Sequence, residues 1–276
     1  MISLTEKYIL NDPFVSAGSG LALHKDHFYV VADDELGILS LRADFLHKGI
    51  FHPVFPGKLP DEYASRKKLK PDIESIVVVG DDLLLIPSGS RPNRTQGALF
   101  SISNSGPRVV SFKNVYAQLE KEFPELNIEG AVILDDRIRL FQRGNGKLLQ
   151  NAVIDLHLLS FLNDEVKDLK IIKIELGKLN ETPLSFTDAA LSDNTLYFLA
   201  AAEKTESTYD DGEFAGAVLG KMDLSGQVIK CLPLNISSKP EGLCIKGTDF
   251  FIVTDDDDRK KASRIFSGSL GPFFID

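Results

Sequence analysis

Residues 74–86 read ESIVVVGDDLLLI in one-letter code, two apolar runs separated by the short polar segment Gly80-Asp81-Asp82. Runs of Val, Ile and Leu that flank a Gly/Asp turn predict two antiparallel strands joined as a hairpin. The arrangement recurs along the chain as an acidic or small residue, a small residue, an apolar run, a polar turn and a second apolar run. The small residue of the five copies stands at positions 20, 75, 130, 189 and 242.

The copies are spaced by 55, 55, 59 and 53 residues, and each continues into a third alternating apolar run. A repeat of this length, made of antiparallel strands, is typical of a β-propeller with radially arranged sheets. The last copy ends at its third strand, whereas segment 6–10 precedes the first copy as an additional strand. We therefore predict an all-β, five-bladed propeller of four-stranded antiparallel blades, a single domain over residues 1–276 closed by the N-terminal strand. Six blades are the alternative, if segment 156–187 contains a degenerate blade.

Composition narrows the class of protein. The net charge of -9 argues against a nucleic-acid partner, because such partners require a basic face. Cys231 and Cys244 are the only cysteines, too few for a disulfide framework. The N-terminus does not resemble a secretory signal, and no apolar run approaches the roughly 20 residues that span a bilayer. We expect a soluble, cytoplasmic protein without a membrane or nucleic-acid partner, and the sequence leaves its oligomeric state open.

The propeller topology predicts where polar residues meet. In a blade, the connection into the innermost strand and the loop between the second and third strands lie on one face. The residues that directly precede the five small residues are Ser19, Glu74, Glu129, Asp188 and Glu241. Carboxylates that converge on one axis repel unless they are solvated, protonated or bridged by a cation. Because Ca²⁺ accepts many oxygen ligands, the four carboxylates are candidate ligands of Ca²⁺ or another divalent cation; the alternative is that they face loop amides or channel water.

A second set of residues lies on the same face, thirteen residues after each small residue. These residues are Asp33, Ser88, Arg143, Ala202 and Asp255. Asp33 and Asp255 are candidate catalytic bases, and Arg143 is a candidate for stabilising negative charge in a transition state. Arg91 and Arg94 are candidate binding residues for an anionic substrate, since Arg pairs with planar or tetrahedral anions. The alternative for Arg143 is a salt bridge to neighbouring acids.

Three segments carry a family resemblance. Residues 73–76, 128–131 and 240–243, the last followed by the acidic strand end 254–256, resemble the repeats of the calcium-dependent propellers. This group includes the esterase-like phytase and SdiA-regulated families and, more distantly, the gluconolactonase (SMP-30-like) and strictosidine-synthase-like proteins. The resemblance implies a calcium ion held by acidic residues near the axis and an ester hydrolase activity. In the gluconolactonase group a glutamate enters the first blade, where this chain has Ser19.

Two functions follow as hypotheses. The first is a metal-dependent hydrolase that acts on a small phosphate or other anionic ester, with a small anionic molecule as its partner. The second is a non-catalytic propeller that binds a ligand or a protein on the same face, with loop 203–215 as part of the recognition surface. A histidine-based zinc site or a Ser-His-Asp triad lacks support, because none of the five histidines stands at a ring position.

Overall fold

The protein forms five antiparallel sheets arranged in a ring, in a computed structural model that describes residues 1–103, 106–204 and 212–271. The predicted five-bladed propeller is confirmed. Blade 1 contains β2 (Gly18–His24), β3 (His27–Ala32), β4 (Gly37–Arg42) and β5 (Ile50–Pro53). Blade 2 contains β6 (Ile73–Val79), β7 (Asp82–Pro87), β8 (Gln96–Ser101) and β9 (Pro107–Ser111). Blade 3 contains β10 (Ile128–Leu134), β11 (Arg137–Gln142), β12 (Ala152–His157) and β13 (Lys170–Lys173).

The fourth blade has one more strand than predicted. It contains β14 (Lys178–Leu179), β15 (Thr182–Ser192), β16 (Thr195–Lys204), β17 (Glu213–Met222) and β18 (Val228–Pro233). The added strand β14 is only two residues long and pairs with the start of β15. Segment 156–187, where a sixth blade was the alternative, is occupied by the end of β12, a short helix, β13 and this hairpin, so five blades account for it.

The N-terminal strand closes the ring. Blade 5 contains β19 (Lys239–Lys246), β20 (Asp249–Asp255), β21 (Arg264–Ser269) and, as its outermost strand, β1 (Thr5–Ile9). β1 pairs antiparallel with β21, and Ile2 forms a parallel bridge to Leu234 at the end of blade 4. Closure pairs the outer edge of β21 within the chain itself, so the final blade has the same four-stranded form as its neighbours.

Contacts between blades form the core. The second strand of blade 2 is buried along residues 83–87, because both faces of a blade are covered by its neighbours. Between blades 3 and 4, the ring of Phe186 lies 5.2 Å from that of Phe141 and 5.3 Å from that of Phe198, with edge-to-face packing. The apolar runs that identify the repeat therefore build the interfaces between blades.

The repeat requires a small residue at this position for a steric reason. Around the axis the innermost strands of neighbouring blades approach one another closely. A Cβ at Gly242 would lie 2.6 Å from the backbone nitrogen of Leu21, and one at Gly130 would lie 3.0 Å from the Cα of Asp188. A larger side chain at these two positions would push neighbouring blades apart.

Among the described residues, the short helices α1 (Tyr63–Leu69), α2 (Lys113–Leu119) and α3 (Leu158–Leu162) lie outside the sheets. α1 leads into blade 2, on the face where the second and third strands of the blades are also joined. In the part of the chain that the structure describes, no helix has the length and apolar character needed to cross a membrane.

Candidate functional site

Every innermost strand carries a β-bulge, and the bulges define a ring of side chains near the axis. The bulged residues are Ser19, Glu74, Glu129, Thr187 and Glu241. A bulge bends its strand and re-aims a side chain, which explains why the repeat keeps polar residues at this point. In four blades the bulge coincides with the predicted ring position. In blade 4 it falls at Thr187, because Phe186 pairs with Ala200 and Asp188 pairs with Leu199. The sequence alignment of the fourth copy is thus one residue out of register.

Asp188 consequently differs in its contacts from the other three predicted metal ligands. Its carboxylate accepts a hydrogen bond of 2.7 Å from the backbone N–H of Leu243 and another from that of Ala189. Burial raises the pKa of Asp188 well above its ordinary value. The side chain joins the innermost strands of blades 4 and 5, whereas Glu74, Glu129 and Glu241 line one cleft.

The two hydroxyl members of the ring also join blades. Ser19 Oγ donates to the carbonyl oxygen of Ile73 at 2.5 Å, and Thr187 Oγ1 donates to that of Pro240 at 2.6 Å. Each acceptor is the residue before the bulge of the next blade. Since both hydroxyls are buried and hydrogen-bonded to backbone, the three glutamates are the ring members available for chemistry.

A cleft at the mouth of the channel, here the axial cleft, encloses about 560 Å³ including its opening. Its carboxylates are Asp33, Asp72, Glu74, Glu129, Glu241, Asp255 and Asp257. Its cations are Lys67, Lys70, Arg94, Arg143 and Lys239. The remaining lining residues are Ser19, Asn127 and Asn145, so the described lining contains no aromatic or aliphatic residue. The excess of carboxylates over cations favours a ligand that carries positive charge.

Among the lining residues that sequence reasoning missed, Asp72, Asn127 and Lys239 share one position of the repeat. Each stands two residues before a bulged glutamate, at the same point of the repeat in blades 2, 3 and 5. The repeat therefore contains a third polar position, in phase with the two that the sequence analysis used, and this position could have identified the three residues. The equivalent residues of blades 1 and 4 are Ala17 and Ser185, both uncharged.

One side of the axial cleft is a cluster around Lys70. Its ammonium contacts the carboxylate of Asp33 and lies 2.9 Å from Asp72 Oδ1. Arg94 Nη1 lies 2.7 Å from Asp72 Oδ2, so Asp72 is held between two cations. Glu74 forms no hydrogen bond or ion pair with the described residues, although oxygens of Asp33, Asp72 and Glu74 all lie within 4.8 Å of one another. Glu74 is thus the carboxylate of this cluster that is available to a ligand.

The other side of the axial cleft is a chain of alternating charges. Arg143 contacts Glu203 and lies 3.1 Å from Glu129 Oε1. Lys239 Nζ lies 3.1 Å from Glu203 Oε1 and 2.8 Å from Glu241 Oε1. The alternative predicted for Arg143, a salt bridge to neighbouring acids, is what the structure shows. Glu241 Oε2 is buried and has no hydrogen-bond partner among the described residues.

Of the remaining predicted residues, some line the axial cleft and others do not. Asp255 lines the cleft, and its Oδ1 accepts a hydrogen bond of 2.7 Å from the N–H of Asp257. Arg94 is buried in the cleft wall, whereas Arg91 is exposed and lies outside the described lining. Of the predicted recognition loop 203–215, residues 205–211 lie outside the described residues.

Burial raises the pKa of several acids of the cleft. It raises the pKa of Asp33 to about 6, even though the Lys70 ammonium opposes the shift. It raises the pKa of Glu74 well above its ordinary value, and repulsion from Glu129 adds to the effect. Burial acts to lower the pKa of Lys239, but the carboxylates of Glu241 and Glu203 outweigh it and raise that pKa. Groups with such shifts in a cleft are typical of functional sites.

The comparisons with known proteins identify a family. A family model described as "Family of unknown function (DUF6929)" matches residues 14–270, and the chain therefore belongs to this family. None of the curated proteins matches the sequence.

Solved structures resemble the chain in fold. It is similar to an α-L-arabinofuranosidase (CtGH43) from Clostridium thermocellum, with 13% identity and a TM-score of 0.51 over 88% of this chain and 84% of that one. It also resembles a GH43 endo-arabinanase from Bacillus licheniformis, with 10% identity and a TM-score of 0.47 over 94% of both chains. Likeness at these identities extends to the propeller alone.

Proposed function

We propose that this member of the family is a divalent-cation-dependent hydrolase that acts on a small phosphate or other anionic ester at the axial cleft. The observation that carries the proposal is the convergence of oxygens from Asp33, Asp72 and Glu74 within 4.8 Å. Two oxygens that bind the same Ca²⁺ ion, each at about 2.3–2.6 Å, can be no more than about 5 Å apart. The spacing therefore fits one shared cation.

Charge supports the same assignment. Seven acidic and five basic residues are in the described lining of the cleft, and a divalent cation would favour the ionised form of the acids that it contacts. In the structure, Lys70 supplies positive charge to two of these acids by contacting Asp33 and Asp72. A divalent cation must compete with the Lys70 ammonium for the oxygens of Asp33 and Asp72. It can bind Glu74 without displacing Lys70 from that carboxylate. This competition makes the proposal sensitive to a substitution at Lys70.

The residues around the cluster have separate roles in hydrolysis. A divalent cation would supply Lewis acidity toward the ester and lower the pKa of water. Asp255 lies in the cleft and accepts a proton from the attacking water. The oxygen of that water forms the new bond to the phosphorus or acyl carbon. The bond to the leaving oxygen breaks, and that oxygen takes up a proton from solvent. Lys67 binds the anionic group, while Arg143 holds Glu129 and Glu203 in place.

Cation binding is tested by thermal unfolding after treatment with EDTA, with Ca²⁺, Mg²⁺ or Mn²⁺ added at millimolar concentration. A cation that binds only the folded state raises the midpoint of unfolding. Glu74→Gln should abolish the increase, and Lys70→Met should enlarge it because the competing ammonium is gone. Glu175→Gln, at an exposed site, is the matched control. If no divalent cation stabilises either the wild type or Lys70→Met, the proposed metal site is wrong.

Turnover is tested separately with p-nitrophenyl phosphate, p-nitrophenyl acetate, lactones and p-nitrophenyl arabinofuranoside, each with and without the stabilising cation. We expect cation-dependent hydrolysis of an anionic ester that Glu74→Gln removes. The arabinofuranoside is included because one of the similar structures is an arabinofuranosidase. Cation binding without turnover of any substrate would favour the non-catalytic binding propeller instead.

A further inference from the structure

A second cleft, here the outer cleft, adjoins the axial cleft on the side of blades 1 and 5. It encloses about 550 Å³ including its opening. Five residues line both clefts: Asp33, Lys67, Lys70, Asp255 and Asp257. The two clefts are therefore adjacent, and the outer cleft lies directly beside a ligand bound at the carboxylates of the axial cleft.

The walls of the outer cleft are fixed in the structure. Helix α1 forms one wall, and the loop that follows β20 forms the other. The buried carboxylate of Asp34 joins them, because Arg66 Nε lies 3.0 Å from Asp34 Oδ2 and Arg259 Nε lies 3.7 Å from the same atom. Arg259 also donates a hydrogen bond of 3.1 Å to the carbonyl oxygen of Asp61, just before the helix. The outer cleft is thus preformed, which reduces the entropic cost of binding a ligand there.

Tyr63 gives the outer cleft a chemical character that the axial cleft lacks. It is the aromatic residue in the described lining of the outer cleft, and 57% of it is exposed. Lys67 Nζ lies 5.9 Å from the centre of its ring. Lys67 lines both clefts, so an anionic group at their junction would lie beside this ammonium while an attached ring reaches Tyr63.

We infer that the substrate has two parts, an anionic ester group held in the axial cleft and a planar aromatic ring that stacks on Tyr63 in the outer cleft. The inference rests on the proposed function for the position of the ester group, and it narrows the substrate class to aryl or arylmethyl esters. Aromatic stacking contributes enough free energy to change affinity between about twofold and tenfold. Tyr63 is accordingly a specificity-determining residue that has no part in the chemical step.

The test is calorimetric titration of the full chain, in the presence of millimolar Ca²⁺ or Mg²⁺, with two probes that cannot be hydrolysed, 1-naphthylmethylphosphonate and methylphosphonate. Wild type should bind the naphthyl probe more tightly than methylphosphonate. Tyr63→Ala should weaken binding of the naphthyl probe by about twofold to tenfold and leave methylphosphonate unchanged. Tyr63→Phe should retain the wild-type affinities, because the ring is kept.

Leu69→Ala is the matched control, since Leu69 lies on the same helix with 65% of its surface exposed. The inference is overturned if Tyr63→Ala binds the naphthyl probe as wild type does, if both probes bind with equal affinity, or if neither binds. A failure of the proposed function would appear in the thermal-unfolding and turnover assays, as no stabilisation by a cation or no hydrolysis. The protein would then still bind the naphthyl probe more tightly than methylphosphonate.

Discussion

Replacement of Lys239 by methionine should test the charge network at the axis. The side chain of Lys239 is 4% exposed, and its ammonium compensates Glu241 at 2.8 Å and Glu203 at 3.1 Å. Removing one partner of a buried ion pair costs about 3–5 kcal/mol, because the remaining charge is left buried without compensation. Glu203 keeps its contact with Arg143, whereas Glu241 loses the cation that it contacts. We expect Lys239→Met to lower the free energy of unfolding by about 3 kcal/mol at pH 8.

The loss should shrink as the pH falls. Burial raises the pKa of Glu241 well above its ordinary value, so the folded protein binds this proton more tightly than the unfolded chain does. Without Lys239 the pKa rises further, and protonation of Glu241 removes the uncompensated charge. At pH 6 the difference between Lys239→Met and wild type should therefore be smaller than at pH 8.

Urea unfolding followed by circular dichroism measures both effects. Lys246→Met is the matched control, because Lys246 is exposed at the other end of the same strand and should change stability by less than about 0.5 kcal/mol. Adding Glu241→Gln to Lys239→Met should recover at least half of the loss, because no charge is then left buried at that position. If the single variant behaves like its control, or if the effects of the two substitutions simply add, the described pairing of Lys239 with Glu241 is refuted.

Two further predictions concern the ring. In EDTA, the wild type should lose about 1.4 kcal/mol of stability relative to Asp33→Asn as the pH rises from 5 to 8, because the Asp33 carboxyl, with a pKa of about 6 in the fold, binds its proton more tightly when folded. Parallel pH profiles of the two proteins in urea unfolding would contradict this. Thr187→Val should cost about 1–2 kcal/mol, since the Pro240 carbonyl loses its donor, and Ser19→Ala should cost a similar amount at Ile73. Unchanged unfolding midpoints in both would argue against the interblade role of these hydroxyls.

The sequence predicted the face on which three glutamates lie together but could not assign their ion-pair partners. Glu74, Glu129 and Glu241 were predicted as neighbours of the axis, and all three line the axial cleft. The pairing of Arg143 with Glu203 joins residues 60 positions apart, and Lys239 was not predicted at all. Charge compensation depends on distances between side chains of different blades, and periodicity within one blade carries no information about them.

The sequence by itself predicted the propeller and its closure by the N-terminal strand, and the structure decided for five blades over six. The predicted features follow from alternation and turn composition within each copy, which are local properties. Only the tertiary structure decided that Thr187, and not Asp188, occupies the bulge of blade 4. Both residues are polar and adjacent, so either one fits the repeat, and the choice is made by pairing with β16. The same pairing turns Asp188 toward blade 5 and leaves the three glutamates of blades 2, 3 and 5 to form the candidate site.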